Sequence, residues 1–179
     1  MIVITLGTSP FPFTRVTEWL SKLLFQNLIN EPVLFQHGST PLNGFQHPLV
    51  TSVKSIELRE LRQTVQSANL TISHAGQGST RMLIELEAPF VLLPRLQRYR
   101  EHIDDHQLQF AQAISRYGIC FTLDYHSLAA FCRHKPFPVA RAFFEAPKLA
   151  DYLSTTYAGP QSSENTWANF SVPQQNFNT

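Results

Sequence analysis

The sequence predicts an α/β domain with a mostly parallel sheet, and three observations predict it. Short β-branched or apolar runs recur at Ile2 to Leu6, Val33 to Gln36, Asn69 to Ser73 and Phe90 to Leu93. Segments with apolar residues at helical spacing stand between them. Turns rich in Gly and Pro separate the two kinds of segment. Strands alternating with helices pair in parallel, because each crossover returns the chain over the sheet.

The first strand, Ile2 to Leu6, is stopped by Gly7-Thr8-Ser9-Pro10. Phe13 to Leu28 follows as a helix with Val16, Leu20, Leu23 or Leu24, and Leu28 on one face. Pro32 ends the connection and Val33 to Gln36 is the second strand. His37 to Pro48 is rich in Gly, Pro, Ser and Asn and reads as a loop. Leu49 to Val53 is a third strand, and Glu57 to Ser67 a helix with Leu58, Leu61 and Val65 inward. The strand Asn69 to Ser73 runs into His74-Ala75-Gly76-Gln77-Gly78-Ser79, and a helix spans Thr80 to Glu87. Phe90 to Leu93 is a strand between two prolines. Asp104 to Tyr117 is a helix closed by Gly118. Ile119 to Leu123 is the last strand, and Ser127 to Cys132 and Val139 to Tyr152 are the last helices. Residues 1–154 form the domain. Residues 155–179 are a polar tail, dominated from Gly159 by Asn, Gln, Ser and Pro, and expected to be disordered or loosely docked.

Composition narrows the function classes. With 43% apolar and 15% charged residues, 179 residues are enough for a real core. A formal charge of +1 gives no global field for nucleic acid, and no nucleic-acid partner is expected. No apolar run approaches the ~20 residues of a membrane span. The opening Met1-Ile-Val-Ile-Thr-Leu-Gly7 lacks the basic region of a signal peptide. Two cysteines, Cys120 and Cys132, in apolar settings read as reduced buried thiols. The expectation is a cytoplasmic protein.

Three segments carry candidate chemistry. Glycines between a strand and a helix at His74 to Thr80 let backbone approach a ligand, and a helix N-terminus offers free N–H groups to phosphate. Ser79 or Thr80 can cap that helix or bond a phosphate oxygen. A tight turn that needs Gly for steric reasons fits the same residues. Arg81 replaces the third Gly of a dinucleotide fingerprint, no Lys completes a nucleoside-triphosphate loop, and there is no Gly-x-Ser-x-Gly elbow. Gly7-Thr8-Ser9 is a second strand-end turn of small residues. The third segment is Pro94-Arg95 with Arg100-Glu-His-Ile-Asp-Asp-His-Gln107. His102 and His106 have the i, i+4 spacing of metal ligands on a helix, yet Ile103 stands where zinc proteases carry Glu, and no metal is expected. A solvated helix start capped by Asp104 or Asp105 is the other reading. Arg95, Arg98 or Arg100 can pair with the carboxylate of a uronic acid, or face a partner.

Taken together, His-Ala-Gly-x-Gly-Ser, Pro-Arg and Glu-His-Ile-Asp-Asp-His-Gln, preceded by Thr5-Leu-Gly-Thr-Ser and Pro12-Phe13-x-Arg15, resemble the C-terminal domain of glycosyltransferase family 28. The resemblance covers roughly Met1 to Leu153 and is nearest to small stand-alone subunits of two-part UDP-sugar transferases, of the bacterial exopolysaccharide and capsule kind. It implies the Rossmann-like donor-binding half of a GT-B glycosyltransferase. By position, Gly7, Thr8 and Ser9 would face the diphosphate. His74, Gly76, Gln77, Gly78, Ser79 and Thr80 would hold the diphosphate and ribose side. Arg95, His102, Asp105, His106 and Gln107 would complete the substrate site, His106-Gln107 matching a pair of Gln that contacts the donor hexose in the related peptidoglycan enzyme. Met82 stands where that enzyme has a ribose-binding Glu, with Glu85 one turn further on.

The resemblance implies metal-independent, inverting transfer from a UDP-sugar, with no cofactor. It implies a membrane-anchored partner subunit that carries the acceptor site and the lipid-linked acceptor, and that recruits this chain to the cytoplasmic face of the membrane. The catalytic residues are not assigned. The alternative reading is a non-catalytic nucleotide-sugar-binding or regulatory module.

Overall fold

A computed structural model describes residues 1–139. Five strands, β1 (Ile2–Thr5), β2 (Val33–Gln36), β3 (Val50–Val53), β4 (Leu70–His74) and β5 (Phe90–Leu93), form one sheet in the order β3-β2-β1-β4-β5. Every pairing is parallel, with Ile2 opposite Val33 on one side and Leu70 on the other. Five helices connect or follow them: α1 (Thr14–Phe25), α2 (Leu58–Gln66), α3 (Gln77–Glu85), α4 (His106–Ser115) and α5 (Tyr125–Arg133). This is the expected Rossmann-like sheet with helices on both faces.

Alternation along each strand divides the core in two. Ile2, Ile4, Leu70, Ile72, Val91 and Leu93 face α1 and α5, where Val16, Leu20, Leu23, Leu128 and Ala129 close over them. Val3, Phe90 and Leu92 face the other way, under Val65 of α2, Leu83 and Ile84 of α3 and Ala111 of α4. Burial on both faces makes β1 and β5 nearly continuous apolar runs, while β4 keeps the small polar Thr71 and Ser73, both buried, alternating with Leu70 and Ile72. Both cysteines are free thiols, and burial pushes Cys132 up to about 11.

Several element boundaries differ from expectation, each for a local reason. α1 stops at Phe25, because Asn27 turns left-handed at φ 53° and Leu28 N–H bonds the Leu23 carbonyl. Leu58 opens α2 but is 65% exposed, so only Leu61 and Val65 turn inward. α3 starts at Gln77, three residues early: Gly76 is extended, and Thr80 N–H already reaches the Gly76 carbonyl at 2.9 Å. α4 starts only at His106, because Asp104 folds back to accept the His106 N–H. Gly118 takes φ 83° just beyond it, as a helix-terminating glycine does. Ile119 to Leu123 makes a single bridge, Leu92 to Phe121, rather than a strand. Thr122 donates to the Asp124 carbonyl and Asp124 caps α5 through the Ser127 N–H, so the chain turns before a ladder can extend. The helix expected beyond Val139 and the polar tail lie outside the described residues.

β1 to β3 step outward in one direction, and β4 then starts again on the far side of β1. Parallel sheets bind ligands at the carboxyl ends of their strands where the order reverses. That point lies between the ends of β1 and β4, where Gly7 and His74 stand.

Candidate functional site

The carboxyl rim is built around one imidazole. His74 ends β4 half-buried, with Nδ1 3.4 Å from the Thr5 carbonyl oxygen. A Cβ on Gly7 would lie 2.6 Å from its Nε2, and one on Gly76 2.4 Å from the same atom. Gly7 also has φ 70°. The two turns are therefore glycine because they close on His74 from both sides. A tight turn and a cradle are here the same object.

Gln36, at the end of β2, fixes the first turn. Its Oε1 accepts the Thr5 hydroxyl at 2.8 Å and the Gly7 N–H at 3.0 Å, while its Nε2 donates to the Gly7 carbonyl at 2.9 Å. The Gly7 amide is thus committed inside, and Gly7 contributes space rather than a donor. Ser9 Oγ lies 3.4 Å from Phe11 N, holding the turn, and Thr8 is exposed.

A cleft of about 210 Å³ opens over these residues. Thr5, Gly7 and Thr8 line it from β1, Gln36 from β2, His74 from β4 and Ser79 from α3; Ser55, Ile56 and Leu61 form the side toward β3 and α2. A larger hollow of about 650 Å³ borders residues 42–52 but shares no residue with the glycine turns. Because α3 begins at Gln77, the N–H groups of Gln77, Gly78 and Ser79 have no acceptor within the helix and lie at its positive end. Thr80 differs from expectation: it is buried, and its hydroxyl donates to the Gly76 carbonyl at 2.9 Å. It tightens the first turn instead of meeting a ligand.

Burial, helped by the nearby Arg95 charge, lowers His74 to about 4 against the pull of the Thr5 carbonyl. The ring is neutral at physiological pH and brings no charge to the cleft. Protonation therefore favours the unfolded chain. Stability contributed by His74 is complete above pH ~6.5 and is lost progressively down to pH ~4. The unfolding free energy from urea titrations should fall over that window by an amount on the order of 2–3 kcal/mol, and His74→Gln should flatten that part of the profile. An unchanged profile in the variant would show that His74 does not titrate this way.

The third segment divides into framework and surface. Arg95 was expected at the substrate; it is only 1% exposed and faces inward. One guanidinium nitrogen donates to the Phe11 carbonyl at 2.7 Å and the Glu101 carbonyl at 3.2 Å, and the other to the Leu6 carbonyl at 2.8 Å. Phe13 lies against it, 4.7 Å from ring centre to guanidinium. Burial lowers its pKa to about 10, with Glu101 opposing. Beside it, Arg15 pairs with the Glu101 carboxylate through two bonds of 2.9 and 2.8 Å and reaches the Pro94 carbonyl. Glu101 also accepts the Leu96 N–H. Gln107 is buried, its side-chain oxygen accepting the Arg95 N–H at 3.2 Å.

His102, Asp105 and His106 stand nearer solvent. The His102 ring lies 5.7 Å from Phe11 and 4.5 Å, edge-on, from His106. His106 Nδ1 is 2.5 Å from Asp104 Oδ1, and Asp105 accepts the Gln97 N–H. Ligand atoms of His102, Asp104 and His106 fall within 4.8 Å of one another. A metal there would displace the proton that already joins the His106 imidazole to Asp104. Met82 packs in the core. Glu85 pairs with Arg62 and Arg81 eight residues along α3, about 12 Å from its start, too far to replace a ribose ligand at the rim.

Sequence reasoning missed Gln36, Ser55 and Ile56, and gave no role to Arg15 and Glu101, which stand within its motifs. Gln36 ends β2 and Ser55 follows β3, and reading every strand end as a rim position finds them. Nothing local in the sequence distinguishes Glu101 from its exposed acidic neighbours.

No curated protein matches the chain at a significant level. Among solved structures it resembles the glycotransferase of kitacinnamycin, at 18% identity and TM-score 0.57, covering 74% of this chain and 33% of that one. It likewise resembles the glycosyltransferase SnogD from Streptomyces nogalater, at 20% identity and TM-score 0.54, with 74% and 33% covered. The chain thus spans about a third of the length of each. The solution structure of ALG13 is similar at 19% identity and TM-score 0.55, covering 80% of this chain and 92% of that one. These likenesses establish the shared fold. Residues 1–126 match the family described as the glycosyltransferase family 28 C-terminal domain, and with most of the chain matched, this protein belongs to that family.

Proposed function

We propose that the chain is the donor-binding, catalytic subunit of a UDP-sugar glycosyltransferase that adds a hexose to a lipid-linked acceptor in polysaccharide biosynthesis. The cleft between the two glycine turns, at the point where strand order reverses, carries this reading. Its chemistry suits a nucleoside diphosphate. Ile56 and Leu61 offer an apolar wall for a base, and the amides opening α3 face the place for phosphates. In transfer, charge develops on the departing diphosphate, and N–H donors fixed at a helix N-terminus stabilise it without reorganising. The His74 ring, neutral and wedged between glycines, holds the two turns at a set separation. This supports inverting displacement, with the acceptor hydroxyl attacking from the side opposite the bound diphosphate.

The acceptor, the base and the membrane contact belong in this reading to a membrane-anchored partner. None of the helices formed by the described residues is long and apolar enough to cross a membrane, and the chain matches about a third of the first two glycosyltransferases above. In this reading the chain works at the cytoplasmic face, brought there by that partner.

Thermal unfolding with UDP is the direct test. A ligand that binds only the folded state adds about 2.7 kcal/mol at a hundred times its Kd. For a domain of this size that raises Tm by roughly 5–11 °C. A flat response to millimolar UDP overturns the reading. UDP binding without hexose transfer, when the chain is combined with its membrane partner, would favour a non-catalytic module.

A further inference from the structure

Two imidazoles in the segment after β5 converge on one carboxylate oxygen. His106 opens α4, His102 stands four residues before it on the preceding loop, and Asp104 lies between them. His106 Nδ1 is 2.5 Å from Asp104 Oδ1, and His102 Nδ1 is 3.2 Å from the same oxygen. The rings meet edge-on, their centres 4.5 Å apart. One ligand atom from each of the three residues falls within 4.8 Å of the others, and no other group of three His, Cys, Asp or Glu among the described residues converges this way.

The two nitrogens are not equally satisfied. A proton joins His106 to Asp104. His102 Nδ1 has no such bond: it is buried, lies off line from the carboxylate, and has no other partner among the described residues. If that nitrogen carries a proton, a buried donor goes unpaired. If it does not, its lone pair faces a carboxylate and the two repel. A cation between the two atoms answers both cases, because nitrogen and oxygen lone pairs then point at positive charge. Hydrogen bonding within the group accounts for His106 and leaves His102 unexplained.

Ligand type selects the ion. Two imidazole nitrogens and one carboxylate oxygen suit zinc and its neighbouring transition ions, whereas magnesium and calcium take oxygen ligands. Bonds of about 2.0–2.2 Å put two ligand atoms roughly 3.3 Å apart around a tetrahedral ion. The His102 contact already has that spacing, and Asp104 moves away from His106 by less than ~1 Å as the shared proton leaves. Asp104 and His106 are half-exposed, so the remaining coordination position opens to solvent. Arg98 and Arg100 stand exposed on the turn before Glu101 and oppose a cation, which holds the affinity to a moderate level. We propose that His102, Asp104 and His106 bind a divalent transition ion of the zinc class, which clasps the loop after β5 to the first turn of α4. None of the three lines the cleft at the glycine turns, so this site is separate from the place proposed for the diphosphate. The spacing of the histidines alone does not predict a metal; the unpartnered nitrogen does.

Titration calorimetry on the full chain, stripped with EDTA and exchanged into metal-free buffer at pH 7.5, tests this with Zn²⁺, Co²⁺ and Mg²⁺. Zn²⁺ should bind one to one with a Kd at or below about 10 μM, and Mg²⁺ about a hundred-fold or more weaker. Co²⁺ should give visible d–d absorption that saturates at one equivalent. His102→Ala and His106→Ala should each weaken Zn²⁺ by about ten-fold or more. His126→Ala, which removes an exposed imidazole on α5, should leave binding unchanged. His106 is half-exposed, so its variant keeps the fold, and circular dichroism without metal checks this. No saturable Zn²⁺ binding below about 100 μM overturns the inference. So does equal binding of Mg²⁺, binding that survives His106→Ala, or a matching loss in His126→Ala.

Discussion

Gly76→Ala should weaken UDP binding roughly a hundred-fold. The added Cβ would sit 2.4 Å from His74 Nε2, a distance real Cβ contacts do not reach, so ring or turn must move. The ring has little room, since Gly7 packs on its other side. Moving the turn shifts the start of α3 and the amides proposed to hold the diphosphate. A displacement on the order of 1 Å costs roughly a hundred-fold where donors must be aligned. Overpacking should also destabilise the fold by about 1–3 kcal/mol. The clash has one named partner, which permits a double-mutant cycle. In a His74→Ala background, Gly76→Ala should cost little further stability, giving a coupling of about 1–3 kcal/mol. Additive losses in urea denaturation would show that the glycine serves something other than room for the imidazole.

Glu101→Ala should be the most destabilising single change among the charged residues of the rim. Glu101 is 2% exposed, yet it neutralises Arg15, accepts the Leu96 N–H and lies beside Arg95. Its removal leaves buried guanidinium charge without a counter-ion, which costs about 3–5 kcal/mol. A domain stable by 5–15 kcal/mol is left marginal by such a loss. Glu101→Gln keeps the volume and one acceptor oxygen but removes the same counter-charge, so it should recover only about 1 kcal/mol of that loss. Asp105→Ala, which removes one exposed acceptor for the Gln97 N–H, should stay within about 1 kcal/mol. Chemical denaturation of the three variants checks the ranking. Equal values for Glu101→Ala and Asp105→Ala would mean the buried pair contributes nothing special.

The sheet was legible in the sequence for a simple reason. Runs such as Ile2-Val-Ile and Phe90-Val-Leu-Leu93 are buried on both faces, so they carry no polar residue to confuse the reading. The glycine turns were legible because Gly between strand and helix has few other causes. Side-chain direction was not legible. Arg95 and Thr80 sit inside the motifs that mark the rim, and sequence reasoning placed both at the ligand. Whether an Arg at a strand end faces solvent or reaches back for carbonyls depends on what the β1–α1 loop leaves unpaired, here the carbonyls of Leu6 and Phe11. Those carbonyls come from residues more than eighty positions away. Gln36 escaped notice for a similar reason, since its partners at Thr5 and Gly7 come from another strand. Local pattern fixes where an element begins; long-range pairing decides what its end residues do.

The position of β1 bears on how the protein is made. β1 emerges from the ribosome before both strands it pairs with, and one of its edges waits for Leu70 to Ser73. Its ladder stays half-formed until nearly seventy further residues have been synthesised, and all its neighbours are distant in sequence, which slows acquisition of the native state. The exposed edge in the meantime is an apolar template for wrong pairing. Nascent chains halted before residue 70 should be held by chaperones, and the capacity to take up nucleotide should arrive only with the last part of the translation product to join the sheet.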